Sequence, residues 1–178
     1  TRQSFDKSDL QILSRINYPN EIATGDGTWQ ENVLAFSPDD RYLAIGLASG
    51  GTSLVDWQSA ELEKLFLPAA QSSPVVSLCF DREGTKLLVG HTDGMLNAWD
   101  VSTSVLYKAV RQHRDEIRRI KHSTEKHLFA VASRDNSISL ISDDEFELVD
   151  ILLGHSGICQ DVAFSADGKL LASAGQDY

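Results

Sequence analysis

A spacing of 42 residues constrains this chain more than any other feature of its sequence. Asp93, Asp135 and Asp177 stand 42 apart, as do His113 and His155, and His122 falls midway between Phe80 and Phe164. Phe36 lies 44 residues before Phe80. Around these markers one local order returns: an apolar run, a turn, a second apolar run, and a tight turn at the aspartate. Gly154–Tyr178 shows it most cleanly, with Gly154-His155, a run ending at Phe164, a turn at Ala166-Asp167-Gly168 and a second run before Asp177. A unit this short buries its hydrophobic face only by stacking on its neighbours. The chain is a repeat protein.

The units are made of strands. Asp93-Gly94 separates two apolar runs and is a strong hairpin signal, because a type I′ turn needs positive φ at both central residues. Ser37-Pro38-Asp39-Asp40 places proline at the second position of a turn, where its fixed φ fits. Strands are expected at 33–36, 42–47, 52–57 and 62–67, then at 75–80, 86–90, 95–100 and 105–110. They continue at 117–122, 128–132, 137–142 and 147–152, and end with 159–164 and 170–174. The repeats therefore span about 32–70, 75–112, 117–153 and 158–178, the last holding only its first two strands. Residues 1–9 are expected to be flexible, and 10–16 alternate well enough for a single strand. No stretch has a helical period, so the class is all-β.

Composition narrows the partners. The formal net charge of −10 repels phosphate backbones and disfavours direct nucleic-acid binding. Cys79 and Cys159 sit in apolar strands of different repeats, which suits buried thiols in a reducing compartment. No apolar run approaches the ~20 residues that span a membrane. The N-terminal residues TRQSFDKSDL are polar, with no signal-peptide core. The expected location is intracellular, cytoplasmic or nuclear, away from membranes.

Catalytic chemistry is hard to find. Ser173, His155 and Asp177 are the residue types of a nucleophilic triad. Yet His113 and Asp135 recur one period earlier without a matching serine, and no nucleophile elbow surrounds Ser173. Of the five histidines only His122 and His127 are spaced like metal ligands, and the two cysteines are far apart. No phosphate-binding or dinucleotide fingerprint occurs. The expectation is no catalytic residue, no metal and no cofactor.

From about Asn32 onward the chain resembles the WD40 repeat family. The resemblance is carried by Gly154-His155, DVAFSADGKLLASAG, the hairpin Asp93-Gly94 and the dipeptide Trp99-Asp100. It implies a β-propeller of four-stranded antiparallel blades, of which about three and a half are visible, completed by the remainder of the ring or by another chain. It also implies that 10–16 is a closing strand. Blades of this family often carry a hydrogen-bond network of a loop His, a second-strand Ser or Thr, a turn Asp and a third-strand Trp. His155, Ser173 and Asp177 match it in repeat four. His113 and Asp135 match it in repeat three, where Val131 and Ile141 stand for the Ser and Trp. Asp93 and Trp99 match it in repeat two, where Gln71 and Val89 stand for the His and Ser. In repeat one the register is ambiguous around Trp57.

One stretch stands out against the acidic background. RQHRDEIRRIKH holds Arg111, Arg114, Arg118, Arg119 and Lys121, in the loop and first strand of repeat three. Arginine pairs bidentately with carboxylates and phosphates, so this stretch is a candidate docking site for an acidic or phosphorylated peptide. Otherwise it is a solvated loop balanced by Asp115 and Glu116, or by the run 143–147. Arg134, just before the turn Asp135, and its counterparts Thr92 and Gln176 are further candidates for partner contact. The function expected is a non-catalytic scaffold that presents propeller loops to a protein or peptide within a multiprotein complex. The alternative is a substrate-receptor or sensor propeller of a larger enzyme or regulatory chain.

Overall fold

A computed structural model describes residues 33–56, 59, 61–67 and 73–177, and every regular element in it is a β-strand. Blade one holds β1 (Val33–Phe36), β2 (Tyr42–Gly46), β3 (Thr52–Asp56) and β4 (Glu61–Phe66). Blade two holds β5 (Val75–Phe80), β6 (Lys86–His91), β7 (Met95–Asp100) and β8 (Leu106–Arg111). Blade three holds β9 (Ile117–Ser123), β10 (Leu128–Ser133), β11 (Ser137–Ser142) and β12 (Leu148–Leu153). A further sheet pairs β13 (Cys159–Phe164) with β14 (Leu171–Gly175). Each blade is an antiparallel meander in sequence order, as the sequence leads one to expect. The segments 1–9 and 10–16, with Trp57 and Gln71, lie outside the described residues.

β8 and β12 begin one residue later than the hydrophobic pattern suggests. Ser104 and Phe146, 42 residues apart, both take positive φ and lengthen the preceding turn by one position. The first strands β1, β5, β9 and β13 touch one another in that order, so the sheets stack around a common inner line.

Period-two alternation explains why the middle strands are apolar almost throughout. In β6, Leu87 and Val89 turn to one face and join Leu78, Phe80 and Trp99 against Ala44 and Leu54 of blade one. Leu88 turns to the other face and joins Leu96 and Ala98 against Ile120, Phe129 and Ile141 of blade three. Ala130, Ala132 and Ile138 then meet Cys159 and Val162 of the fourth sheet. A strand buried on both faces has no polar side to alternate with. Each enclosed Leu or Phe contributes about 1.5–3 kcal/mol through burial.

Three of the four first strands, β5, β9 and β13, share one irregularity that β1 lacks. Val75 pairs with His91 but Ser77 with Gly90, which leaves Val76 as an extra residue in the strand. The same step occurs between Ile117 and Arg119, and between Cys159 and Asp161, so Arg118 and Gln160 are the extra residues there. A β-bulge re-aims a side chain. Here it does so at positions 42 apart.

Phe129 is fully enclosed, with its ring centroid 4.8 Å from His122 and 6.0 Å from Phe146. Phe129→Ala should cost about 3–5 kcal/mol, read from the urea midpoint of unfolding. Leu170→Ala, at a residue 71% exposed, should change it by less than about 0.5 kcal/mol.

Candidate functional site

At one end of blades two and three and of the fourth sheet, the loop entering the first strand meets the turn that follows the second strand. In blade three the tie is His113. Its Nδ1 lies 3.1 Å from Asp135 Oδ2, and its Nε2 accepts from Ser139 Oγ at 2.8 Å. Asp135 also accepts from the backbone N–H of Arg114 and of Ser137 and from the Ser137 hydroxyl. Burial pulls the His113 pKa below its ordinary value, although Asp135 pulls the other way. Burial raises Asp135, but the Ser137 and Arg114 bonds outweigh it and leave its carboxyl below the usual range. A carboxylate with this many donors compensates its own desolvation.

The fourth sheet repeats the arrangement from different strands. His155 Nδ1 lies 2.5 Å from Asp177 Oδ2, and Nε2 lies 2.8 Å from Ser173 Oγ. The N–H groups of Ser156 and Gly157 donate to Asp177 Oδ1. These bonds, the one from His155 first, hold the Asp177 carboxyl below the usual range. Ser173 comes from the second strand, whereas Ser139 comes from the third and faces Val131 across the ladder. Val131 offers no hydroxyl, and its cross-strand neighbour supplies one instead.

Blade two departs furthest. Asp93 and Trp99 do not meet: Asp93 lies in the turn before β7 and Trp99 near its far end, with about 13 Å of strand between Met95 and Trp99. Val89, between them on β6, has no hydroxyl to relay a bond. Trp99 packs instead on Phe66, with ring centroids 5.3 Å apart, and Asp93 accepts from Met95 N–H and Arg111. The buried polar pair in this blade is His91 and Asn97. Asn97 Nδ2 lies 2.9 Å from His91 Nε2, and His91 Nδ1 lies 2.7 Å from the Ser73 carbonyl. Burial lowers the His91 pKa, consistent with a neutral ring accepting at Nε2 and donating at Nδ1. Asn97 and Ser139 are 42 apart, and that spacing is the signal in the sequence that would have singled both out.

Thr92, Arg134 and Gln176 occupy one geometry. Their backbone N–H groups donate to the carbonyls of Pro74, Glu116 and Ile158, the residues just before β5, β9 and β13. Next to them the bulge residues Val76, Arg118 and Gln160 line a 580 Å³ cavity with Glu116, Arg119 and Asp161. Much of the basic stretch is engaged within the protein. Arg118 donates to Glu116 and to Gln160, each at 2.9 Å, and Arg119 Nε lies 3.2 Å from Asp161. Arg111 donates to the Asp93 carbonyl at 2.8 Å, and Arg134 lies 3.6 Å from Glu116 with half of its side chain exposed. Arg114 is exposed and its guanidinium forms no ion pair among the described residues.

Among the described residues the acidic run 143–147 pairs with none of these arginines and meets the stretch only at His122; it lies beyond the opposite end of β11. Its carbonyls and carboxylates meet Lys86, Lys108 and Tyr107 of blade two. His122 and His127 both approach Asp143 Oδ2, at 2.8 and 3.4 Å. Burial pushes the Cys79 thiol up to about 12, which keeps it protonated and unreactive. Ser173, His155 and Asp177 have the contacts of a nucleophilic triad with Ser173 exposed, whereas the counterpart Ser139 in blade three is completely buried. The arrangement ties loop, turn and strands together wherever it occurs.

The family model of the WD domain, G-beta repeat, matches residues 63–100 and 146–178. Transducin beta-like protein 3 of Bos taurus is 30% identical over 161 residues, covering 83% of this chain and 19% of the relative. The U3 small nucleolar RNA-associated protein 21 homolog of Schizosaccharomyces pombe is 28% identical over 160 residues, covering 88% of this chain and 17% of the relative. The chain thus spans about a fifth of the length of these relatives. A solved structure of U3-55K superposes with a TM-score of 0.71 at 18% identity, covering 80% of this chain and 45% of the other.

Two predictions follow from the ties. His91 and His113 titrate below their unfolded value of about 6.5, so the unfolded chain binds more protons as pH drops through that value. Stability should be fully present above it and decline as pH falls from 7 toward 5. Urea midpoints measured across that window should show the decline, with a shallower slope in His91→Gln. Gly94 has φ +82°, and a Cβ there would stand 2.2 Å from the His113 carbonyl oxygen. Gly94→Ala should therefore cost more than about 1 kcal/mol, read from the same midpoints at pH 7.5.

Proposed function

The chain belongs to the WD40-repeat family, and from that premise we propose that it is a non-catalytic scaffold whose loop-and-turn end receives a protein partner in a multiprotein complex. The carrying observation is the 42-residue repetition of one rigid frame with three different side chains, Thr92, Arg134 and Gln176. Ordered blades let such positions vary without loss of geometry, which suits recognition. The described sheets form part of a ring, completed by further strands of the same or another chain.

The partner chemistry is acidic or phosphorylated, and it falls to Arg114 and Arg134. Both are exposed at this end, whereas Arg118 and Arg119 are engaged with Glu116, Gln160 and Asp161. One relative's name associates it with U3 small nucleolar RNA. We infer that this chain serves in an assembly around that RNA, in the nucleus. Its contact with the RNA is indirect, since a net charge of −10 opposes a phosphate backbone.

The test uses the intact tagged protein beside an Arg114→Glu/Arg134→Glu variant. Co-purifying proteins and U3 small nucleolar RNA should fall together by about tenfold or more in the variant, a loss of about 1.4 kcal/mol or more. The urea midpoint should stay unchanged. If every partner survives the reversal, this end of the blades is not the interface.

A further inference from the structure

The outer strand of blade three breaks a pattern kept by its neighbours. Lys64 on β4 pairs with Leu54, and Lys108 on β8 pairs with Ala98 at the equivalent register position. Each lysine clasps the turn before the outer strand of the next blade. Lys64 Nζ donates to the carbonyls of Val101 and Ser102, both at 2.6 Å. Lys108 Nζ reaches the Phe146 carbonyl at 2.9 Å and Glu147 at 2.8 Å. At that register position β12, paired with Leu140, carries Asp150. β12 reads LVDILL and has no cation at all.

Among the described residues this strand is also a free edge, since β12 ends its sheet. Val149, Ile151 and Leu153 are 56%, 44% and 81% exposed. Ile151 pairs with Ser139, which pairs with Val131, and Val131 packs toward blade two. Blade two is in place on that side, so Ile151 is exposed with its neighbouring blade present. The Ile151 N–H donates to the Asp150 carboxylate at 2.7 Å, which marks a backbone donor on the open edge. The surrounding charge is mainly acidic, with Lys108 held on Glu147 and Lys86 on the Asp144 carbonyl. Asp144, Glu145, Glu147 and Asp150 are all exposed, and Asp144 and Asp150 have no cationic partner among the described residues. Natural sheets commonly blunt an edge with lysine, proline or a twist away from the plane. β12 instead offers aliphatic side chains and uncompensated acids.

We propose that β12 is a docking edge for an extended partner segment of alternating basic and aliphatic residues, added to blade three as a fifth strand. Backbone bonds to the edge supply affinity, and alternate side chains supply selectivity. The aliphatic residues of the segment lie against Val149, Ile151 and Leu153. Its lysines or arginines pair with Asp144 and Asp150. A cation drawn to Asp150 takes that carboxylate off the Ile151 N–H, which frees the donor for an incoming carbonyl. Charge recognition and strand addition are coupled through one residue.

The probe is a short fluorescein-labelled peptide of alternating lysine and valine, titrated into the intact protein and read by anisotropy. Saturable binding is expected, with none for a peptide of alternating glutamate and valine. Asp144→Lys/Asp150→Lys should reverse that preference, and N-methylation along one edge of the peptide should weaken binding about tenfold or more. Both substitutions are at exposed positions, and the urea midpoint checks that the fold is kept. Absence of saturable binding overturns the proposal, as does binding that ignores either the charge reversal or the N-methylation.

Discussion

The structure depends on burying both faces of every middle strand. Leu87 and Leu88 are adjacent in sequence, yet one is enclosed against blade one and the other against blade three. No single blade can satisfy that demand. A sheet with two apolar faces must be sandwiched, and stacking around an inner line supplies a neighbour on each side. The polar bonds between blades, such as Lys64 to the turn after β7, then set how the outer ends align.

On that frame, the histidine ties work locally. His113 joins a loop, a turn and a third strand through one ring, and His155 does so through a second strand. Blade two reaches the same end by another route, with a buried His91–Asn97 pair. What the three have in common is a histidine ring whose two nitrogens are both bonded. Which residue satisfies them is open to exchange, because any donor at the right register closes the bond.

Surface chemistry divides between the two ends of the blades. Near Glu116, Arg118 and Arg119 are held by Glu116 and Asp161, so the cavity edge is charged but internally matched, while Arg114 and half of the Arg134 side chain stay exposed beside it. Around 143–150 acids outnumber their partners, even with Lys86 and Lys108 drawn in from blade two. A sequence with a net charge of −10 therefore presents contrasting local fields, and net charge alone describes neither.

The sequence by itself determined the period, the class and nearly every strand, because these follow from alternation and turn chemistry within a few residues. It also placed His155, Ser173 and Asp177, and His113 and Asp135, at matching points of successive repeats. Only the tertiary structure decided the rest. That Ser139 answers for Val131, that Trp99 stays apart from Asp93, and that Arg118 is spent on Glu116 and Gln160 are matters of register and bulge. The bulges at Val76, Arg118 and Gln160 carry no local signature, since their cause is pairing with a strand that follows a turn. Periodicity says which positions are equivalent. Side-chain partners come from strands and blades brought together by folding, up to 58 residues away, as Lys86 and Asp144 are.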